Sequence, residues 1–147
     1  MATETYGAIE TLPAAADLSA KQFYAVSINS SGQAALVAAT GARVDGIVWN
    51  KPAAAVGSAV SVRVLDNRKA KAIAGGTIAA GDLLKSDSAG KLVVTTAAAV
   101  VNTSDAGAAS DPVIGSYVVG VALASAVSGD IFPFLATNLG AVPTTAA

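Results

Sequence analysis

The chain has 147 residues, 53% of them apolar and 13% charged, and its nine basic and ten acidic side chains leave a net charge of −1. A chain of this length makes one ordinary globular domain and buries about two thirds of the surface its unfolded form exposes, which excludes disorder for its body. It contains neither His nor Cys, so Ser-His-Asp and Cys-His catalysis, an imidazole base, His/Cys zinc sites, haem or iron–sulfur ligation by those residues, and disulfide staples are all excluded.

Residues 1–17 and 137–147 lack strand alternation and carry Pro13 and Pro143. They read as an N-terminal arm and a C-terminal tail that order on a partner, flanking one β domain over 18–136. Across the chain 35 Ala, 18 Val and 14 Gly dominate. Ala favours helices, yet the apolar runs are short, Val-rich and broken by Gly every ten or so residues, the spacing of strands joined by turns. Residues 22–29 predict a strand, turned by Ser30-Ser31-Gly32 into a second over 33–38. A third apolar run, 45–50, stops at Asn50-Lys51-Pro52. Residues 59–65 alternate Val60, Val62 and Val64 with Ser61 and Arg63, the mark of a half-buried strand. Further strands are predicted over 69–74, 83–86, 91–96, 117–124 and 131–135, the turn Ser88-Ala89-Gly90 joining the second and third of these.

The same order of signals occurs twice. Ser31-Gly32-Gln33-Ala34-Ala35-Leu36-Val37 parallels Ala89-Gly90-Lys91-Leu92-Val93-Val94, and Asp45-Gly46-Ile47-Val48 parallels Val119-Gly120-Val121-Ala122. Downstream, Ala55-Val56-Gly57-Ser58-Ala59-Val60 parallels Ala126-Val127-Ser128-Gly129-Asp130-Ile131. Gly32 and Gly46 are 14 residues apart whereas Gly90 and Gly120 are 30 apart, so the second unit carries an insertion of 16 within 95–116. The fold class is therefore mainly β: a small barrel or sandwich of two pseudo-repeated units, about 18–65 and 78–135, with extended arms. Thin Ala and Val side chains suit a tightly packed interior and let neighbouring surfaces approach closely without ordering long side chains, so both favour assembly.

The candidate chemical sites are weak. Eight residues separate Gly81 from Gly90 where a phosphate loop has four, and Leu92 stands where a Ser or Thr would hold Mg²⁺. The pairs Asp82/Asp87 and Asp105/Asp111 could act as acid and base or bind a hard cation, but at turns such residues chiefly bond nearby backbone. No catalytic, cofactor-binding or metal-binding residue is assigned. Arg63, Arg68, Lys69 and Lys71 form a basic cluster, read either as a solvated turn around Asp66 or as a contact for an acidic neighbour. Trp49, the single Trp, is either core packing or an interface anchor. The near-neutral charge disfavours nucleic acid as partner. Mean hydropathy is +0.58, but the 18 uncharged residues between Asp111 and Asp130 are interrupted by Pro112, Gly115, Gly120 and Gly129, so no transmembrane helix is expected. Residues 1–6 have no basic region, so no secretory signal is expected either.

The run Ala74-Gly75-Gly76-Thr77-Ile78-Ala79-Ala80-Gly81-Asp82-Leu83-Leu84, then Ser88-Ala89-Gly90-Lys91-Leu92-Val93, Val119-Gly120-Val121-Ala122-Leu123 and Ser128-Gly129-Asp130-Ile131, resembles the capsid decoration, or cement, proteins of tailed bacteriophages. Gly41-Ala42-Arg43-Val44-Asp45-Gly46-Ile47-Val48 and Asn50-Lys51-Pro52 extend the resemblance over about 22–135. It implies a non-enzymatic β protein without cofactor, a homotrimer on the outer surface of an icosahedral head. There it would clamp the major capsid protein, with no nucleic-acid or membrane partner. Its candidate shell or subunit contacts are Thr3, Glu4, Tyr6, Ile9 and Leu12 on the arm, with Trp49, Arg68 and Lys69. A chain beginning near Leu18 is then expected to fold but to lose shell binding. The insertion within 95–116 departs from the shortest members. Another virion role, in tail or scaffold, and a surface module binding glycan or receptor are the alternatives; scattered aromatics give the latter little support.

Overall fold

The computed structural model describes residues 9–95, 114–137 and 140–144. Over these the chain forms strands and no α-helix: β1 (Ile9–Pro13), β2 (Ala25–Ile28), β3 (Ala34–Leu36), β4 (Gly46–Val48), β5 (Ala59–Val64), β6 (Lys69–Ile73), β7 (Leu83–Ser86), β8 (Leu92–Val94), β9 (Ile114–Val118), β10 (Gly120–Ala122), β11 (Ile131–Leu135) and β12 (Gly140–Thr144). Two antiparallel five-stranded sheets result, ordered β1-β5-β4-β2-β3 and β6-β11-β10-β7-β8, with β9 and β12 paired separately. The class is mainly β, two packed units of one design.

Replacing β1, β2, β3, β4 and β5 by β6, β7, β8, β10 and β11 converts one sheet order into the other. The correspondence reaches single hydrogen bonds. Ala14 N–H donates to Ser58 O as Ala74 N–H does to Asp130 O, and Asp45 N–H donates to Val26 O as Val119 N–H does to Leu84 O. Each first hairpin is closed by the same side-chain device. The Asn29 amide oxygen accepts from Ser31 and Gln33 N–H, and the Asp87 carboxylate accepts from Ala89 and Lys91 N–H. The isolated parallel bridges Ala14↔Ala34 and Ala74↔Leu92 are equivalent as well.

Burial explains why the short runs form strands. One cluster joins Val26, Val48, Val60 and Val62 to Ala14 and Leu18, which fold over that face of the first sheet. At the equivalent places the second sheet has Leu84, Ala122, Phe132 and Phe134, with Ala74 and Ile78 over them. The two Phe rings, 6.2 Å apart, take the places of two Val, while Ala122 and Ala72 replace Val48 and Leu12, so volume is redistributed rather than added. This second cluster also includes Ala25, Val44 and Ile47. Those residues lie on the opposite face of the first sheet, which is therefore buried on both sides.

Three segments differ from the sequence expectation. Residues 9–17, read as arm, run in the body: β1 pairs with β5 from Ile9↔Arg63 to Pro13↔Ala59, and Ala14 is fully buried. Pairing with β5, rather than alternation of its own side chains, makes this segment extended, and as β1 is the edge strand Pro13 is tolerated at its end. A chain beginning near Leu18 would lose that strand, so it tests folding together with binding. In the tail, β12 pairs with β9 from Gly140↔Val118 to Thr144↔Ile114. The run 117–124 is split at Val119 because Tyr117 N–H donates to Gly41 O while Val119 N–H donates to Leu84 O, so the chain changes partners there. The bulk of the expected insertion, with Asp105 and Asp111, lies outside the described residues.

Gly46 and Gly120, equivalent in the two units, sit where strands cross closely. A Cβ on Gly120 would run into Leu135 O and the Phe134 ring, and one on Gly46 into Arg63 O, 2.6 Å away, and the Val62 side chain. Gly120→Ala should therefore cost about 2–3 kcal/mol and lower Tm by about 5–10 °C. Gly76→Ala, with nothing near its Cβ, should stay within about 0.5 kcal/mol of wild type in the same calorimetric or urea titration.

Candidate assembly surface

Two aromatic rings and an arginine gather where the two units meet. Trp49 follows β4, and its N–H donates to Ser61 O while its carbonyl accepts from the Gln22 amide. Its ring meets Phe23 edge-on, with centroids 5.8 Å apart and an interplanar angle of 82°. The Arg63 guanidinium lies over it at 5.3 Å, a cation–π contact. Arg63 also reaches the second unit, its Nη2 donating to Lys69 O at 2.9 Å, while its Nε is buried without a partner. Phe23 completes the seam: its N–H donates to Val48 O and its carbonyl accepts from Ile73 N–H.

Phe23 has φ of +68°, in the left-handed region that non-Gly residues avoid, and the equivalent residue of the second unit is Gly81, at +91°. Both N–H groups make the same bond, Gly81 to Ala122 O. The turn thus requires a left-handed residue in both units. Only the first fills it with an aromatic ring, which packs on the cluster shared by the two sheets. Backbone strain at Phe23 is offset by that packing.

The sequence-derived contact residues are distributed unevenly around this seam. Ile9 pairs with Arg63 across the β1–β5 ladder and is 45% exposed. Lys69 is exposed beside Leu135, and Arg68 faces Asp66 at 3.9 Å, a separation at which an exposed pair contributes little. Ile9, Trp49 and Lys69 therefore converge on Arg63, which the sequence marked only as one of a basic cluster. Leu12 points the other way, half-buried against the first unit's valine cluster. Thr3, Glu4 and Tyr6 lie outside the described residues. Trp49 is half-buried, packed yet partly open.

The carboxylates serve turns. Asp82 accepts from Ala79 N–H, Asp130 from Val127 N–H, and Asp45 from Ile28 N–H while paired with Arg43 at 3.1 Å. The Ser19 hydroxyl and N–H both bond Asp17 and hold its carboxyl below the ordinary carboxylate range. Among the described residues no group of three or more acidic side chains is placed to hold a metal ion. No helix there is long and apolar enough to cross a membrane.

A surface that sequence reasoning did not single out is the outer face of the second sheet. Leu83, Val121, Pro133 and Leu135 lie half-buried on it, and Leu123 and Ile131 are 47% and 55% exposed. Lys69 and Lys71 flank them through the pairs Leu135↔Lys69 and Pro133↔Lys71. The signal was present: at the corresponding places the first unit has Ala25, Ile47, Ser61, Arg63, Trp49 and Ala59. Only an alignment of the two units by strand pairing makes visible the change at Ala25, Ala59, Ser61 and Arg63 to Leu83, Ile131, Pro133 and Leu135.

The chain is similar to a solved structure described as the crystal structure of head fiber gp8.5 N base in bacteriophage phi29. The two are 19% identical, the match covers 97% of this chain and 100% of that one, and the TM-score is 0.58. At that identity the likeness is one of fold. No family model matches the chain, and neither does any curated protein.

Phe23→Ala and Phe23→Gly should both destabilise the protein, by about 2 kcal/mol or more, through loss of the ring. Their order should be inverted from that at an ordinary strand position, with Gly the more stable by about 1 kcal/mol because it relieves the left-handed backbone. Urea titration of the pair checks it.

Proposed function

We propose that this chain is a structural protein of a phage virion, without enzymatic activity. It binds the outer surface of the icosahedral head as a homotrimer and stabilises contacts between major capsid subunits. The observation that carries this reading is the end-to-end likeness to the base of a phage head fiber. A match over nearly the whole of both chains concerns the complete two-unit design rather than a common sheet motif.

The molecule's chemistry supports the same reading. It has no His or Cys, and its turn carboxylates are engaged with backbone N–H groups. Exposed Leu123 and Ile131 and half-buried Leu83, Val121 and Leu135 give one sheet face an apolar surface. Such a surface suits many modest contacts, which the symmetry of a shell multiplies into a large net stabilisation. Residues 1–8, leading out of β1 beside the exposed Ile9, are the arm that reaches the shell in this reading, with Lys69 and Arg68 as the basic contacts of an acidic capsid surface.

The test mixes the protein with immature and mature heads stripped of it and separates bound from free by gradient sedimentation. Saturable retention at a fixed ratio to the major capsid protein, with raised heat resistance of the shell, is expected. A chain beginning at Ile9 should keep the Tm of the full chain and lose retention at least about tenfold. Absence of retention on either form of the head would overturn the reading.

A further inference from the structure

The two units share a fold, yet their outer faces have different surroundings. The first unit's face is covered by the second unit. Ala25 N–H donates to Gly90 O at 2.7 Å, Gly41 N–H donates to Ser86 O at 2.9 Å, and the Gly90 turn packs against the Leu36 side chain. Ile47 on that face is completely buried. The tip of the β7–β8 hairpin, Ser86 to Gly90, is thus part of what covers it, beside β6 and the inner cluster of the second sheet. The equivalent tip of the first unit, from Ile28 to Gly32 between β2 and β3, covers nothing among the described residues. Ile28 is 41% exposed and a Cβ on Gly32 would meet open space, whereas their counterparts Ser86 and Gly90 are buried.

Among the described residues one chain therefore has an uncovered face at one end and an unused hairpin tip at the other. Both are apolar where they would touch: Ile28 on the tip, Leu83, Val121, Leu123 and Ile131 on the face. We propose that the outer face of the second sheet receives the Ile28–Gly32 hairpin tip of a second copy of this chain, repeating between chains the contact that Ser86–Gly90 makes within one. In that contact the Leu83 N–H is the counterpart of the Ala25 donor, and Gly32 O is the counterpart of Gly90 O. The contact is heterologous: tip meets face, not face meets face. Face-to-face pairing is disfavoured because it would bring Lys69, Lys71 and Lys85 of one copy toward the same lysines of the other. A face of large apolar side chains that stays uncovered is unfavourable in a monomer, and such patches mark association surfaces.

The inference deepens the self-association proposed above and is independent of shell binding. Its test is sedimentation of the purified full chain over a wide range of concentration. The wild type is expected to associate. Ile28→Glu on the tip, and Leu123→Glu with Ile131→Glu on the face, should each raise the apparent dissociation constant at least about tenfold while leaving circular dichroism and Tm unchanged. Where a Glu variant does not fold, Ile28→Ser or Leu123→Ser takes its place. The deciding sample is an equimolar mixture of tip and face variants. The intact tip of the face variant meets the intact face of the tip variant, so one-to-one dimers should form and growth should stop there. A monomeric wild type, unimpaired association of Ile28→Glu, or a mixture that stays monomeric would each overturn the contact. Retention on heads is read separately, so a monomer that still binds shells overturns this contact and the homotrimer but leaves shell binding standing, whereas unimpaired association of Ile28→Glu overturns this contact alone.

Discussion

The structure depends on a sheet that is buried on both faces. Ile47 and Val48, consecutive on β4, are each fully buried, one toward the second unit and the other toward Ala14 and Leu18. A strand of an antiparallel sheet ordinarily shows one face to water. Here the second unit takes the place of water. Within that sheet the Gly46 backbone lies against Arg63 and Val62 of β5 with no room for a Cβ.

The same packing explains the seam residues. Because the second unit must lie against Ala25 and Ile47, the turn entering β2 brings Phe23 into the shared cluster at the cost of a left-handed backbone, and Trp49 and Arg63 close the edge of the contact. Arg63 joins the units through Lys69 O although its Nε is left without a partner, so the contact is useful in position more than in energy. In the second unit the same positions hold Gly81, Leu123 and Leu135. Freed from forming an internal seam, they present aliphatic surface outward.

A duplicated unit packed head to tail has a physical consequence for function. The first internal contact uses one face and one tip, and among the described residues leaves one face and one tip over. A protein built in this way is suited to assembly by repeating its own internal geometry, and symmetry adds such small contacts into a stable lattice. Long charged or reactive side chains are not needed for that task. The turn carboxylates instead shape hairpins, as Asp87 and Asn29 do in equivalent places.

The sequence by itself determined the strands whose side chains alternate or whose ends carry turn chemistry. β5 was legible because Val60 and Val62 face one way and Ser61 and Arg63 the other, and the β2–β3 and β7–β8 hairpins because their Asx turns are local. The doubled order of signals was legible for the same reason, each signal being confined to a few residues. Tertiary structure alone decided the rest. β1 and β12 are extended because a neighbour pairs with them, not because of their own pattern. The break at Val119 arises from a change of partner, and the burial of Trp49, Arg63 and Phe23 from the approach of the second unit. Which of two similar sheet faces is covered is likewise invisible to a local reading, because it depends on how the units stack, a property of surfaces rather than of adjacent residues.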